Sequence, residues 1–167
     1  AITFVDGGEL IFRLHSLPES YLNGDDTTIN QIKLVEGRMP EKPDEMVIEV
    51  NQNMDAGIEI GDVLTFKSGT DKELTDGTMH GDLFTVVGKA ITPYYLTYDK
   101  GTSQIGGKAI TFFGYAPETA FDYDGIYTEA LVTVTGAKEL NAFTAKYRRL
   151  VEDVSAAISN IGVDRSR

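Results

Sequence analysis

Apolar residues come in short runs over the first three quarters of the chain. They alternate with polar ones and are separated by Gly, Pro, Asp and Asn, the spacing of β-strands and their turns. Residues 9–15 (ELIFRLH) read as a strand, opened by the Asp6-Gly7-Gly8 turn and ended at Leu17-Pro18. Residues 45–50 (EMVIEV) alternate with period two, with Met46, Ile48 and Val50 on one face. Residues 63–67, 82–92, 109–115 and 127–135 (YTEALVTVT) supply further strands, and Pro93 closes the one before it. Between them, 21–28 is a polar loop and 51–57 has room for about two helical turns before Gly57. Residues 68–81 form a hairpin loop, and 117–121 holds a short helical turn.

The last stretch changes period. Leu140, Phe143, Tyr147, Leu150, Val151, Val154, Ile158 and Ile161 recur at steps of three and four. This spacing predicts one amphipathic helix over 137–161, its apolar stripe packed on the sheet and Phe143, Leu150 and Val154 buried. Gly162 is placed to end it. The fold class is α+β: a β-rich mixed or antiparallel sheet with a long C-terminal helix, leaving room for a small β lobe. Residues 1–162 read as a single domain with 163–167 as a tail.

Charge narrows the partners. Fifteen Lys and Arg stand against 26 Asp and Glu, a net −11, which repels phosphate backbones and argues against nucleic acid. There is no cysteine, so disulfides, thiolate metal sites and cysteine nucleophiles are all excluded. No apolar run approaches the roughly 20 residues of a membrane span.

Four groups of residues then occur in a telling order: Glu36-Gly37-Arg38-Met39-Pro40, Asp44-Glu45-Met46-Val47-Ile48, Ile60-Gly61-Asp62-Val63-Leu64 and Phe84-Thr85-Val86-Val87-Gly88. Together they resemble the extracytoplasmic core of MacB/FtsX-type ABC-transporter permeases. The stretches from Gly101 to Gly106, Gly114 to Glu118 and Tyr127 to Glu129 are similar to the large permeases of this kind in Gram-positive bacteria. The resemblance implies a domain at the extracytoplasmic face of the cell membrane, tethered by flanking membrane helices. Its implied partners are the rest of the permease, a cytoplasmic ATP-binding subunit and an extracytoplasmic protein or cargo. In the family the domain opens with a β-α unit that is not found here, so a cut on the N-terminal side is expected. Read without the resemblance, Arg38 and Glu45 flank a Pro-closed loop they can bridge, and Gly61 and Gly88 suit a turn or a close backbone approach.

No catalytic constellation stands out. His15 and His80 lack metal-ligand neighbours at useful spacing, and the chain has no G-x-S-x-G elbow around Ser103. Asp122-Tyr123-Asp124-Gly125 begins like a calcium loop, but Glu129 follows the glycine by four residues where an EF-hand needs about six. Gly106-Gly107-Lys108 lacks the remainder of a phosphate loop. The expectation is a non-enzymatic module with no metal and no cofactor. Two rival readings are a secreted carbohydrate- or protein-binding module and a hydrolase with an unrecognised carboxylate pair.

The candidate partner-binding residues are Tyr94, Tyr95, Leu96, Tyr98 and Ile105, in a glycine-punctuated stretch without clear period over 94–108. Tyrosines offer broad apolar area with a polar tip, a combination enriched where proteins meet. The other reading of the same tyrosines is a lid folded over a satellite core.

Overall fold

The computed structural model describes residues 2–5, 8–24, 29–50, 56–93, 100–103, 107–123 and 129–165. The chain is α+β and β-rich, and it divides into two compact units, Ala1–Tyr127 and Thr128–Arg167.

The first unit holds strands β1 (Ile2–Val5), β2 (Gly8–Leu17), β3 (Lys33–Gly37), β4 (Glu45–Glu49), β5 (Val63–Thr65), β6 (Leu83–Ile91) and β7 (Phe112–Pro117). A one-turn helix α1 (Glu19–Leu22) follows β2, and a 3-10 turn (Glu118–Ala120) follows β7. The sheet is mixed, in the order β1-β2-β7-β4-β6-β3. β2 runs parallel to β7, β4 runs parallel to β6, and the remaining pairs are antiparallel. β6 is long enough to take two partners along one edge: β5 pairs with its first residues and β3 with its last, while β4 occupies the other edge. β1 comes alongside β5, so the sheet coils round on itself.

Both faces are covered, which is why β4 and β7 are buried at almost every position rather than at alternate ones. One face carries Phe12, Met46, Ile48, Phe84, Val86 and Phe112, overlaid by Ile58, Phe66, Leu74 and Met79 from the loops. Phe12 meets Phe66 edge-on at 5.3 Å and stacks on Phe112 at 5.4 Å. Gly114 faces this side, where a Cβ would lie 2.5 Å from Met46 Cε and 2.7 Å from Leu14 Cδ2. The opposite face carries Ile11, Val47, Val87, Ala90, Phe113 and Tyr115, covered in part by Tyr21, Leu22 and Met39. Tyr21 Oη donates to the carbonyl of Ile32 at 2.8 Å, which ties α1 to the segment before β3.

β1 and β3 are strands that the reading of residue periods does not produce, and residues 19–22 are helical where a polar loop is expected from 21 onward. β3 carries a bulge between Leu34 and Glu36, and a bulge breaks strict alternation.

The second unit departs further. Residues 129–134 form no regular structure, although ALVTV reads as a strand. Among the described residues no strand pairs with it, and β propensity is realised only against a partner. The helix α2 spans Ala145–Arg165, not 137–161. Before it, Leu140 N–H bonds Ala137 O and Thr144 N–H bonds Asn141 O, tight turns in place of α-helical bonds. Asn141 Oδ1 accepts from Phe143 N–H at 2.9 Å and Thr144 Oγ1 accepts from Tyr147 N–H at 3.3 Å, so the two side chains end the turns and cap the helix. Phe143 precedes this cap. The position it would pack against four residues into the helix is Arg148, which offers no apolar staple. It is 94 % exposed, so its expected burial is overturned; Leu150 and Val154 are half-buried rather than buried. The helix also runs through Gly162 instead of stopping there, since one interior glycine costs only about 1 kcal/mol.

Candidate functional site

The five candidate residues, Tyr94, Tyr95, Leu96, Tyr98 and Ile105, lie outside the described residues. What the structure shows is the frame they hang from. Ile91 ends β6, Lys100 resumes the described chain, and a small ribbon from Gly101 to Ile110 brings it back to β7. The ribbon is held by Ile110 N–H to Gly101 O at 3.0 Å, Ser103 N–H to Lys108 O at 2.8 Å and a bridge between Thr102 and Ala109.

Three ties seat this ribbon on the sheet. Lys100 Nζ forms an ion pair with Glu49 Oε2, donates to Thr111 O at 3.1 Å and lies 5.1 Å from the centre of the Phe113 ring. Both partners are largely removed from solvent, their side chains 10 % and 13 % exposed. Glu49 Oε2 also accepts from Phe113 N–H at 3.4 Å. Lys108 Nζ pairs with Glu9 Oε1 on β2 at 2.6 Å. Ile110 is buried in the core of the second face, and Thr111 exchanges bonds with Ile11, its N–H reaching Ile11 O at 2.8 Å. The tyrosine-rich segment is therefore bounded at one end by a nine-residue strand and at the other by a desolvated lysine.

A second node sits at the opposite end of β4. Arg38 Nη1 and Nη2 donate to the two carboxylate oxygens of Glu45 at 2.7 and 2.6 Å, and Glu41 N–H and Lys42 N–H add to Glu45 Oε2. The Arg38 hydrogen bonds, with help from the two backbone N–H groups, hold the Glu45 carboxyl down at about 2. Gly37 and Gly88 face each other across β3 and β6 so closely that a Cβ on Gly88 would lie 2.4 Å from Arg38 O. Gly61 adopts φ +101° in the turn into β5, where its N–H bonds Val86 O.

The sequence reasoning anticipated the Arg38–Glu45 bridge but not the Glu49–Lys100 one. A signal for the latter was present: Glu45 and Glu49 flank Val47 on one side of a strand that is otherwise apolar, and a buried carboxylate requires a partner. Lys100 itself belongs to no periodic pattern.

His15 lies on β2, its ring stacked on Tyr115 at 5.3 Å and edge-on to Phe113 at 5.4 Å. Burial, with a smaller contribution from Arg13, pushes its pKa down to about 4. His80 lies in the turn before β6, far from it in sequence, and donates its backbone N–H to Ala120 O. Among the described residues there is no group of three metal-ligating side chains and no helix long and apolar enough to cross a membrane.

No protein-family model, no curated protein and no solved structure matches this chain.

Proposed function

We propose that this chain is the extracytoplasmic domain of a MacB/FtsX-type ABC-transporter permease, a non-catalytic module that transmits motion to, or binds, an extracytoplasmic partner or cargo. One observation carries the reading. The four residue groups that bear the resemblance fall on β6, on the three strands that pair with it or on the turns directly beside them, and they contact one another there. Gly37 of the first registers with Gly88 of the fourth, Arg38 of the first grips Glu45 of the second, and Gly61 and Asp62 of the third exchange bonds with Val86. Residues between 7 and 51 positions apart in sequence thus build one junction, and their spacing has a common structural cause.

In this reading a cytoplasmic subunit hydrolyses ATP, and membrane helices on either side of the domain deliver the motion. A coiled sheet buried on both faces suits the task, since a close-packed core transmits displacement instead of absorbing it. Tyr94, Tyr95, Leu96, Tyr98 and Ile105 supply the contact with the partner in this reading.

The deciding experiment is the sequence of the gene on both sides of this segment. The proposal expects an apolar span of about 20 residues on each side. A gene with a secretion signal and no such spans identifies a free binding module instead. With the spans found, replacing Tyr94, Tyr95 and Tyr98 together by serine in the complete transporter is expected to abolish the hydrogen-exchange protection that 94–108 gains on assembly. Protection unchanged by the substitution removes the tyrosines from the contact.

A further inference from the structure

Of the six asparagines in the chain, Asn23 alone is followed by glycine. Its side-chain amide is open to attack by the next backbone nitrogen, because Gly24 has no side chain to shield that nitrogen or restrict its approach. Asn23 and Gly24 are exposed where α1 ends, and a Cβ on Gly24 would meet nothing within 4 Å. Other asparagines are worse placed. Asn141 has its Oδ1 engaged by Phe143 N–H, and Asn160 lies inside α2 with the β-branched Ile161 after it.

The fold holds the reaction back. Asn23 has φ −81° and ψ 4°, which turns the Gly24 nitrogen away from the Asn23 side chain, and Gly24 N–H donates to Tyr21 O at 3.1 Å. Attack therefore requires α1 to open. α1 has only four residues, Pro18 gives it no side-chain cap, and a single turn is not stable by itself in water. Tertiary contacts keep it closed: Tyr21 and Leu22 pack against the second face, and Tyr21 Oη donates to Ile32 O at 2.8 Å.

We propose that Asn23–Gly24 is a site of spontaneous deamidation, and that the opening of α1 sets its rate. The Gly24 nitrogen gives its proton to hydroxide and bonds to Asn23 Cγ. The Cγ–Nδ2 bond breaks, ammonia leaves with a proton from water, and a cyclic imide remains. Water then opens the ring at either carbonyl, giving aspartate or isoaspartate, with no change of oxidation state. The new carboxylate stands beside the carbonyls that end α1, which disfavour an anion, and Asp25 and Asp26 follow it in sequence. Conversion thus loosens, irreversibly, the element that shields part of the second face. The site does not depend on the permease reading.

Peptide mapping by mass spectrometry tests it, on the chain held at mildly alkaline pH in buffer and in concentrated urea. Asn23 is expected to convert first among the asparagines, to a mixture of aspartate and isoaspartate. Conversion should be about 5- to 30-fold faster in urea, the factor for a segment at the low end of local stability. Tyr21→Phe removes the bond to Ile32 O and leaves the reacting dipeptide intact. It should speed conversion in buffer about two- to tenfold, the worth of one hydrogen bond, without changing the rate in urea. An Asn23 that outlasts the other asparagines in urea overturns the site. Equal rates in buffer and in urea, or a Tyr21→Phe chain that converts no faster than its parent in buffer, overturn the gate.

Discussion

Arg38 reaches across the Pro-closed turn and meets Glu45 with both terminal nitrogens, at 2.7 and 2.6 Å, while the Glu45 side chain is only 7 % exposed. Arginine and carboxylate match in shape, and both oxygens of Glu45 are engaged. The pair fixes the exit of β3 against the entry of β4, beside the Gly37–Gly88 approach. Glu45→Gln removes the charge and turns two acceptors into a mismatched amide. It is expected to lower stability by about 1.5–3 kcal/mol, as loss of hydrogen bonds to a buried charged group does, measured by urea unfolding at pH 7.

Acid should destabilise the chain in two stages. His15 is held neutral in the folded state with a pKa of about 4, against 6.5 unfolded, so between those values the unfolded chain binds the extra proton. Stability therefore falls as pH drops from 6.5 to 4, by at most about 3 kcal/mol. Glu45 is depressed from 4.5 to about 2, and its contribution is lost over that lower window. Replacing His15 by Phe, which keeps a ring against Tyr115, should flatten the upper stage and leave the lower one. A pH series of unfolding midpoints that keeps its slope between 4 and 6.5 in this variant assigns the upper stage to another group.

Two glycines separate steric need from torsional need. Gly88→Ala sets a methyl group 2.4 Å from Arg38 O and 3.1 Å from Glu36 O, backbone atoms that cannot step aside without moving β3. A loss of about 1–3 kcal/mol or more follows. Gly61 has open space around it and only its φ of +101° to protect, so Gly61→Ala is expected to cost about 1 kcal/mol. Thermal unfolding of the two variants should rank them in that order.

Lys100→Met leaves the Glu49 carboxylate largely buried without its cation. The expected loss is about 3–5 kcal/mol, with faster hydrogen exchange in the ribbon from Gly101 to Ile110. Adding Glu49→Leu should restore much of that stability, because an apolar pair of similar volume avoids the desolvation of both charges. A double variant no better than Lys100→Met alone points to the Phe113 N–H contact of Glu49 as the greater need.

Local regularity decided what the sequence revealed. β2, β4, β6 and the 3-10 turn after β7 carry their own periods and stop signals, and they stand where those signals put them, within a residue or two. The Arg38–Glu45 bridge could be read because only six residues, two of them prolines, lie between its members. Glu49 and Lys100 are 51 residues apart, and no local pattern joins them. The stripe from Leu140 to Ile161 kept its period across Asn141 and Thr144, whose side chains bind nearby backbone N–H groups and delay the helix to Ala145. A hydrophobic period reports which residues share a face, and it is blind to such polar side-chain bonds.

β7 is the last strand of the sheet to appear in the chain, yet it lies between β2 and β4. Phe12 is registered with Phe112, so β2 waits through a hundred residues of chain before its inner edge finds a partner. A polypeptide emerging from its N-terminus must hold the β1–β2 hairpin with that edge unsatisfied, and β4 likewise lacks one neighbour until then. Contacts of such span make folding slow and keep strand edges open to wrong pairings meanwhile. Any variant that truncates the chain before Pro117 should accordingly aggregate instead of yielding a smaller stable sheet, and the N-terminal strands have reason to be shielded until β7 has been made.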